Sequence, residues 1–326
     1  MSPAIDPAGV LAAMGWDDDW EAEWVAASER GATADLVPAR LARCDRGVVT
    51  VWRSPGAPER ASNTTAAKDT VAGDWVGFDP DQGRVGLVLP RRSRFERRAA
   101  RGAHRAQVMA ANMDVVWVVQ GLVPGVSARR LERELALAHQ SGADPIVVLT
   151  KCDLVPEHAD QVAVAAHSGP GVPILVVSAF TGEGMEALRA TLHGNGTAAI
   201  IGASGVGKST LVNHLLGSER QVTAEVRDGD LKGRHTTTAA ELIPLPDTGY
   251  LLDTPGVRAL ALWRAQEGVA LAFPEITDAP EACRFDDCSH RNEPGCAVLA
   301  RVESGEIDPA RHRHWMELED EVAALG

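Results

Sequence analysis

Gly202-Ala203-Ser204-Gly205-Val206-Gly207-Lys208-Ser209 fits the phosphate-loop pattern G-x-x-x-x-G-K-[ST] at every fixed position. Glycines in such a loop allow successive backbone N–H groups to face phosphate oxygens, and the following helix adds its positive N-terminal end. A buried strand is predicted at residues 198–202 and an amphipathic helix at residues 210–216, so a chance glycine-rich loop is the weaker interpretation. We therefore predict a nucleotide site in which Lys208 bridges the β and γ phosphates, Ser209 binds Mg²⁺ and Thr210 ends the binding stretch.

Two guanine-reading elements, Thr150-Lys151-Cys152-Asp153 and Ser178-Ala179, come before the phosphate loop in the chain. The carboxylate of Asp153 can accept paired hydrogen bonds from N1–H and the 2-amino group of guanine, a donor pair that adenine lacks. Lys151 is expected to lay its aliphatic stem against the base. Thr150 stands where asparagine is usual, so we expect one amide contact to be lost. Each element follows a predicted strand, at residues 145–150 and 172–178, where open α/β sheets bind their ligands.

Asp253-Thr254-Pro255-Gly256 follows the phosphate loop, as a motif for Mg²⁺ and the γ-phosphate should. Asp253 is expected to hold Mg²⁺ through water, and the amide of Gly256 to reach the γ-phosphate. The guanine elements thus come before the phosphate loop, whereas they normally come after it, so the order of the motifs is rotated. Because the termini of a doubly wound domain often lie close together, joining them and cutting another loop keeps the pocket intact. The order predicts a circularly permuted P-loop GTPase domain with a Ras-like doubly wound sheet.

The catalytic group is less clearly marked by the sequence. Ras-like enzymes carry a glutamine after this motif that orients the attacking water, but the residue here is Val257, so slow unaided turnover and activation by a partner are expected. The polar stretch Lys232–Thr238 has the character of a switch segment, whose threonines can complete the coordination of Mg²⁺. Its His235 could position water, and a solvated loop histidine is an equally good interpretation from chemistry alone.

A third cluster, Cys283-x4-Cys288-x-His290-x5-Cys296, lies near the C-terminus. Three thiolates and one imidazole within so short a segment suit a closed tetrahedral Zn²⁺ site of structural type. Free thiols or a redox pair are the alternative, which the neighbouring histidine disfavours. Cys44 and Cys152 stand apart and are not expected to bind the metal.

Composition limits the broad class of protein. The chain has 326 residues, 45% of them hydrophobic and 24% charged, enough for two or three domains. It has no apolar stretch of membrane-spanning length and no secretion signal at its start, so a cytoplasmic location is expected. The net charge of -13 argues against a nucleic-acid partner. Residues 91–105, however, form an arginine strip that could grip phosphates or could be a solvated linker face; its arginines are 91, 92, 94, 97, 98, 101 and 105.

The N-terminal quarter has a different pattern. Trp16, Trp20 and Trp24 share one face of a predicted helix, which favours packing against the body or a partner. Strands are predicted at residues 46–52, 73–78 and 84–89, with a long loop at residues 54–70. Several short strands in so few residues indicate a small barrel, either an OB fold or an SH3-like barrel.

With these elements in this order, the chain resembles the RsgA family, also called YjeQ, of circularly permuted GTPases that act in maturation of the small ribosomal subunit. The resemblance runs from about residue 36 to the end. It includes Gly73–Val76, Pro90–Ser93, Gln107–Asn112, Arg130–Arg133, the switch segment and the zinc spacing. Two features depart from the family, Thr150 in place of asparagine and the tryptophan-bearing extension.

The resemblance implies a multidomain α/β protein that binds GTP or GDP, Mg²⁺ and one structural Zn²⁺. Its divisions would be an N-terminal extension (1–35), an OB-type barrel (36–98), the permuted GTPase domain (106–265) and a zinc-binding helical domain (270–326). It also implies stimulation by the small ribosomal subunit, and it favours His235 as the catalytic histidine. The arginine strip becomes an expected rRNA contact, and the protein is expected to act as a monomer without a membrane.

Three rival interpretations remain at this point. A P-loop kinase would need no guanine reader, so Asp153 and Ser178-Ala179 argue against it. A non-catalytic RNA-binding module could hold GTP as a structural ligand. Another ribosome-associated permuted GTPase would share the motif order, but such proteins lack the pairing of an N-terminal barrel with a C-terminal zinc cluster.

Overall fold

The structure is a computed structural model, and it describes residues 7–45, 48–98, 106–217, 240–246, 248–254, 262–278 and 282–325. Five N-terminal strands close into a barrel in the order β1-β2-β3-β5-β4, with β4 pairing back to β1. Only β3 and β5 run parallel. This closed order is that of an OB fold, so the predicted OB-type barrel is confirmed. The strands are β1 (Val37–Asp45), β2 (Val48–Trp52), β3 (Pro58–Asn63), β4 (Trp75–Asp79) and β5 (Arg84–Val88).

The barrel differs from the sequence prediction in two places. Residues 54–70, predicted as a loop, contain β3 and a 3₁₀ turn at Thr65–Ala67. Strand β3 is polar, and Ala61 is its one buried residue, so it lacks the alternation that marks a strand in sequence. Backbone pairing with β2 and β5 holds β3 in the barrel, although few of its side chains are buried. Strand β1 was not predicted either.

A second set of strands forms the nucleotide sheet, in the order β10-β9-β8-β11-β13-β12. All neighbours run parallel except β12, which is antiparallel to β13. The strand before the phosphate loop, β11, lies in the middle, between a strand that precedes it in the chain and one that follows. The strands are β8 (Val115–Gly121), β9 (Asp144–Thr150), β10 (Ile174–Val177), β11 (Thr197–Ile201), β12 (Glu241–Leu245) and β13 (Thr248–Asp253).

Helices connect these strands, as expected for parallel pairs. α3 (Ala128–Gln140) joins β8 to β9, α4 (Ala159–Ser168) joins β9 to β10, and α5 (Met185–Ala190) joins β10 to β11. α6 (Lys208–Leu216) follows the phosphate loop. All seven residues of β8 are buried, so this strand lies within the core of the nucleotide sheet.

The barrel and the nucleotide sheet are continuous. Arg43 of β1 pairs with Glu241 of β12, and their side chains form an ion pair of 3.3 Å. A hairpin of β6 (Arg94–Arg98) and β7 (Ala106–Ala111) follows the barrel. Gly73 lies so close to this hairpin that a Cβ there would come within 2.0 Å of the Ala111 carbonyl oxygen, and the side-chain Nδ2 of Asn112 donates to the Gly73 carbonyl oxygen. The Gly73 position therefore needs glycine.

Helices α1 (Pro7–Ala12) and α2 (Asp18–Glu29) dock at the junction of the two sheets. The ring of Trp16 meets that of Trp75 edge-on at 4.8 Å between centroids. Trp20 is buried beside Trp75 and under the guanidinium of Arg92, 3.9 Å from the ring centroid. The N-terminal tryptophan stripe thus packs against the barrel.

Among the described residues, four helices follow the nucleotide sheet: α7 (Gln266–Ala272), α8 (Pro274–Thr277), α9 (Ala297–Glu303) and α10 (Pro309–Leu325). The buried guanidinium of Arg311 on α10 donates to Glu132 of α3, to Glu275 and to the carbonyl oxygens of Ser168 and Ala272. These bonds attach α10 to α3 and α4. In the described part of the chain, no helix combines the length and apolarity needed to span a membrane.

The docked extension can be tested by Trp20→Ala. Truncating a buried tryptophan should lower the free energy of unfolding by about 3–5 kcal/mol and expose α2 to protease. Val25→Ala, at a 46% exposed position of the same helix, should change it by less than about 0.5 kcal/mol. Chemical denaturation and limited proteolysis measure both effects. Equal behaviour of the two variants would contradict the docking.

Candidate guanine-nucleotide site and metal cluster

The phosphate loop joins β11 to α6 through three residues with positive φ. Gly202 has φ of 144°, Gly205 of 79° and Gly207 of 99°. A Cβ at Gly202 would lie 2.4 Å from the carbonyl oxygen of Val119, so both its conformation and its surroundings require glycine. The sequence motif therefore has a local physical cause here, since a side chain at Gly202 would push the loop off the sheet.

Lys208 lies in the first turn of α6, and its side chain folds back over the loop. Its Nζ donates to the carbonyl oxygen of Gly202 at 2.6 Å and also to that of Ala203. A positive charge is thereby held within the concave side of the loop. Ser209 is half-buried and Thr210 exposed at the same helix start.

Thr150, the last residue of β9, connects the guanine tetrad to the phosphate loop. Its hydroxyl lies 3.3 Å from the Gln120 carbonyl oxygen and also hydrogen-bonds the Val206 carbonyl oxygen of the loop. The sequence led us to expect a lost contact where threonine replaces asparagine. In this structure the hydroxyl of Thr150 bonds the phosphate loop directly, and the loss of the amide contact stays a prediction.

Lys151 crosses above the phosphate loop. Its Nζ donates to the carbonyl oxygens of Gly205 at 2.7 Å and Val123 at 3.1 Å. Its backbone has φ of 66°, a left-handed conformation that is uncommon for a residue with a side chain. That turn redirects the chain from β9, leaving Cys152 buried and Asp153 exposed.

Asp153 and Ser178 are brought together from two different loops. The Ser178 hydroxyl donates to Asp153 Oδ1 at 2.6 Å, and its oxygen accepts from the amides of Phe180 and Thr181. The carbonyl oxygen of Ala179 lies 2.7 Å from His214 Nδ1 of α6. Among described residues 178–183, the amide of Ala179 is the one without a hydrogen-bond partner.

Asp253 ends β13, the strand next to β11, so it emerges at the same edge of the sheet as the phosphate loop. The Thr254 hydroxyl is buried and has no hydrogen-bond partner within the described residues. The remaining predicted residues of the γ-phosphate side lie outside the described residues: Pro255, Gly256, Val257 and the whole segment Lys232–Thr238 with His235.

Sequence reasoning missed a polar pair below the phosphate loop. Gln120, buried at the end of β8, donates to Glu134 Oε2 of α3 at 2.6 Å. Burial raises the pKa of Glu134 to about 7, against the opposing effects of Gln120 and of nearby cations that include Lys208. No motif marks either residue, and only the fold brings the pair near Lys208.

The C-terminal cysteines and histidine converge. The ligand atoms of Cys283, Cys288, His290 and Cys296 all lie within 4.8 Å of one another. Cys283 Sγ and Cys296 Sγ are 4.0 Å apart, close to the roughly 3.8 Å edge of a tetrahedron with Zn–S bonds of about 2.3 Å. Amides of Ala297 and Leu299 point at two of the sulfur atoms. The donor set and its spacing therefore fit a Zn²⁺ ion.

The strand order and the loops at its carboxyl edge define the class of protein, a circularly permuted P-loop GTPase. A sequence model of the RsgA GTPase family matches residues 88–263. The chain is 44% identical over 311 residues to the small ribosomal subunit biogenesis GTPase RsgA of Streptomyces avermitilis, covering 92% of this chain and 82% of the relative. It is 42% identical to the Streptomyces coelicolor protein of the same name, with 94% and 85% covered. The chain belongs to the RsgA family.

Solved structures agree with this assignment. YjeQ from Thermotoga maritima is 27% identical with a TM-score of 0.67, and the match covers 88% of this chain and 99% of that one. YloQ, described as a circularly permuted GTPase, is 21% identical with a TM-score of 0.64, over 89% and 96% of the two chains, and supports the fold alone.

The half-buried carboxyl of Glu134 should make stability depend on pH. Its pKa is raised from 4.5 to about 7 in the folded state, so between these values the folded protein keeps a proton that the unfolded chain has lost. Stability therefore falls as pH rises through that window. Glu134→Gln keeps an oxygen acceptor for Gln120 and removes the titration. It should stabilise the protein at pH 8 by on the order of 1–3 kcal/mol and change little near pH 5.

Denaturant unfolding at the two pH values measures this difference. Glu186→Gln, at an exposed position of α5, is the matched control and should show no such change with pH. A stabilisation by Glu134→Gln of the same size at both pH values would contradict the assignment.

Proposed function

We propose that this chain is a cytoplasmic GTPase of late small-ribosomal-subunit maturation, which hydrolyses GTP when the subunit stimulates it and then dissociates. The observation that carries the proposal is the direct attachment of the guanine tetrad to the phosphate loop. Thr150 and Lys151 both bond carbonyl oxygens of that loop, at Val206 and Gly205. Such bonds set a fixed distance between a base reader and a phosphate cradle, as one nucleotide requires.

For the base, Asp153 would accept from N1–H and the 2-amino group, with Ser178 holding one carboxylate oxygen in place. The unpartnered amide of Ala179 would donate to the guanine carbonyl oxygen. Lys151 would lay its stem against the ring, and Cys152 would pack below the tetrad.

For the phosphates, the backbone of residues 202–207 would supply amide donors, and Thr210 would follow at the helix start. Lys208 would exchange its bonds to Gly202 and Ala203 for phosphate oxygens. Ser209 and Asp253 would hold Mg²⁺, which would neutralise charge on the β and γ phosphates. The amide of Gly256 would reach the γ-phosphate.

We propose His235 as the residue that positions the attacking water, because Val257 offers water no hydrogen bond. Loss of the γ-phosphate would relax the switch segment and release the subunit, so that the nucleotide acts as a timer. Turnover would be slow without the subunit.

The arginine strip would contribute to an rRNA surface, with one revision that the structure requires. Arg91 pairs with the fully buried Asp74 at 2.7 Å, and Arg92 pairs with Asp17 at 2.6 Å, so both have structural roles. Among the strip's described arginines, the other three are Arg94, Arg97 and Arg98 on β6, and we propose these for phosphate. Their present contacts are local ones within the hairpin, from Arg94 to Glu96 and from Arg97 to Gln107. We propose that the protein acts as a monomer with the division 1–35, 36–98, 106–265 and 270–326.

A non-catalytic RNA-binding module with structural GTP is the second candidate. The feature in its favour is Val257 at the glutamine position. A turnover measurement decides between the two.

Asp153→Asn tests the base reader. The variant keeps an oxygen for Ser178 but presents an amide donor to the base, so GTP affinity should fall by about 1.5–3 kcal/mol per lost bond. Xanthosine triphosphate, whose O2 accepts a hydrogen bond, should bind better than GTP. Calorimetric titration with both nucleotides measures the exchange, and Asp160→Asn, at an exposed position of α4, is the control. Unchanged GTP binding by Asp153→Asn would refute the role.

GTP turnover with and without purified small subunits tests the proposed function. Subunits should raise wild-type turnover, and His235→Ala should remove roughly 10²–10⁴-fold of it while GTP and subunit binding persist. His193→Ala, at an exposed position, should turn over like wild type. Failure of subunits to stimulate the wild type would support the structural-GTP alternative, whereas normal turnover by His235→Ala would remove only the histidine from the mechanism.

The cysteine cluster should hold one Zn²⁺ per chain in a structural role. Cys288→Ala should lose the metal and open the segment around residues 282–303 to protease, while GDP binding is retained because the nucleotide loops lie elsewhere. Cys44→Ala, remote from the cluster, should keep the metal. Elemental analysis of chelator-free protein counts the zinc, and metal-free wild-type protein would refute the site.

A further inference from the structure

Exposed apolar side chains occupy three neighbouring loops of the nucleotide sheet. Val123 is 39% exposed in the loop after β8, Leu154 62% in the loop after β9, and Phe180 87% in the loop after β10. Among the large exposed hydrophobic side chains of the described residues, Phe180 is the most exposed. The three strands are consecutive neighbours, so these loops lie side by side at one edge.

The backbone that carries Phe180 is held on both sides. Its own amide donates to the Ser178 hydroxyl oxygen at 3.2 Å, and the carbonyl group before it, that of Ala179, contacts His214 at 2.7 Å. The next amide, of Thr181, also donates to Ser178. The ring is therefore exposed on a fixed support. Leaving a ring in water forgoes the free energy of apolar burial, which a ligand covering the ring would recover.

We propose that the Phe180 ring stacks on the guanine base of the bound nucleotide, with Leu154 and Val123 completing an apolar rim around it. The inference rests on the proposed function, since it takes the base to lie between Asp153 and the Ala179 amide. Phe180 directly follows that amide, and Leu154 directly follows Asp153. A base whose edge is read by these two groups places its flat face within reach of the side chains beside them.

In this proposal, Phe180 and Asp153 contribute differently to recognition of the base. Every purine has a π face, so the ring adds affinity with little choice between bases. Asp153 makes the choice through the donors on the base edge. The ring should therefore contribute equally to GDP and to inosine diphosphate, which keeps N1–H and lacks the 2-amino group.

Phe180→Ala is the first test, by calorimetric titration of GDP without ribosomes. Affinity should fall roughly 5–150-fold, the range for one base–aromatic stack, and by the same factor for inosine diphosphate. Leu271→Ala, which truncates a 52% exposed side chain on α7, is the matched control and should bind GDP like wild type.

Phe180→Trp tests contact independently of affinity. It should retain GDP binding, and the fluorescence of the introduced tryptophan should be quenched when GDP is added. The same measurement on Val164→Trp, at a 39% exposed position of α4, should show only the response of the native tryptophans.

Four outcomes count against the proposal. GDP affinity of Phe180→Ala within about twofold of wild type would overturn it, and so would an absence of quenching in Phe180→Trp. Weakened binding of small subunits with unchanged GDP affinity would make the ring a ribosome contact instead. If wild-type protein did not bind GDP at all, the proposed function would fail, and the stacking proposal that rests on it would fail too.

Discussion

The guanidinium of Arg40 is the contact on which the arrangement of the N-terminal half depends. It is 2% exposed, and it donates to the Met14 carbonyl oxygen, to the Thr197 hydroxyl at 2.5 Å and to the Asn112 carbonyl oxygen at 3.4 Å. Burial lowers its pKa to about 10, so it stays charged at neutral pH. A buried charge without its partners costs about 3–5 kcal/mol, so the extension, the barrel and the start of β11 must keep their relative positions.

Arg311 has the corresponding role on the other side of the nucleotide sheet. It is also nearly fully buried, and it bonds Glu132 of α3 and main-chain oxygens of two further segments. Residue Glu134, two positions along the same helix, bonds Gln120 below the phosphate loop. Helix α3 thus contacts the C-terminal helices through one carboxylate and the vicinity of the nucleotide site through another.

These contacts show what the sequence could and could not predict. The phosphate loop and the guanine elements could be located because each needs particular residues directly after an apolar strand. Strand β3 could not, because one buried alanine leaves no periodicity. The sequence showed the positive charge of the arginine strip but not the partners of its arginines. Arg92, for example, pairs with Asp17, which lies 75 positions away in the chain. Likewise, nothing local shows that the Thr150 hydroxyl bonds Val206 across 56 positions. Long-range pairs of this kind depend on the completed fold.

The circular permutation determines which elements of the nucleotide sheet connect to the barrel and to the C-terminal helices. Residues 218–239, which contain the switch motif, lead directly into β12, and β12 pairs with β1 of the barrel. Residues 255–261, after Asp253, lead towards α7, which packs on α3 beside α10. In an unpermuted chain this second segment would continue to β8. Because the chain is cut there, each of the two segments for which the sequence predicts γ-phosphate contacts is followed by an element that touches an appended domain. The chain therefore runs from one predicted γ-phosphate segment into β12 beside the barrel, and from the other towards α7 beside the C-terminal helices.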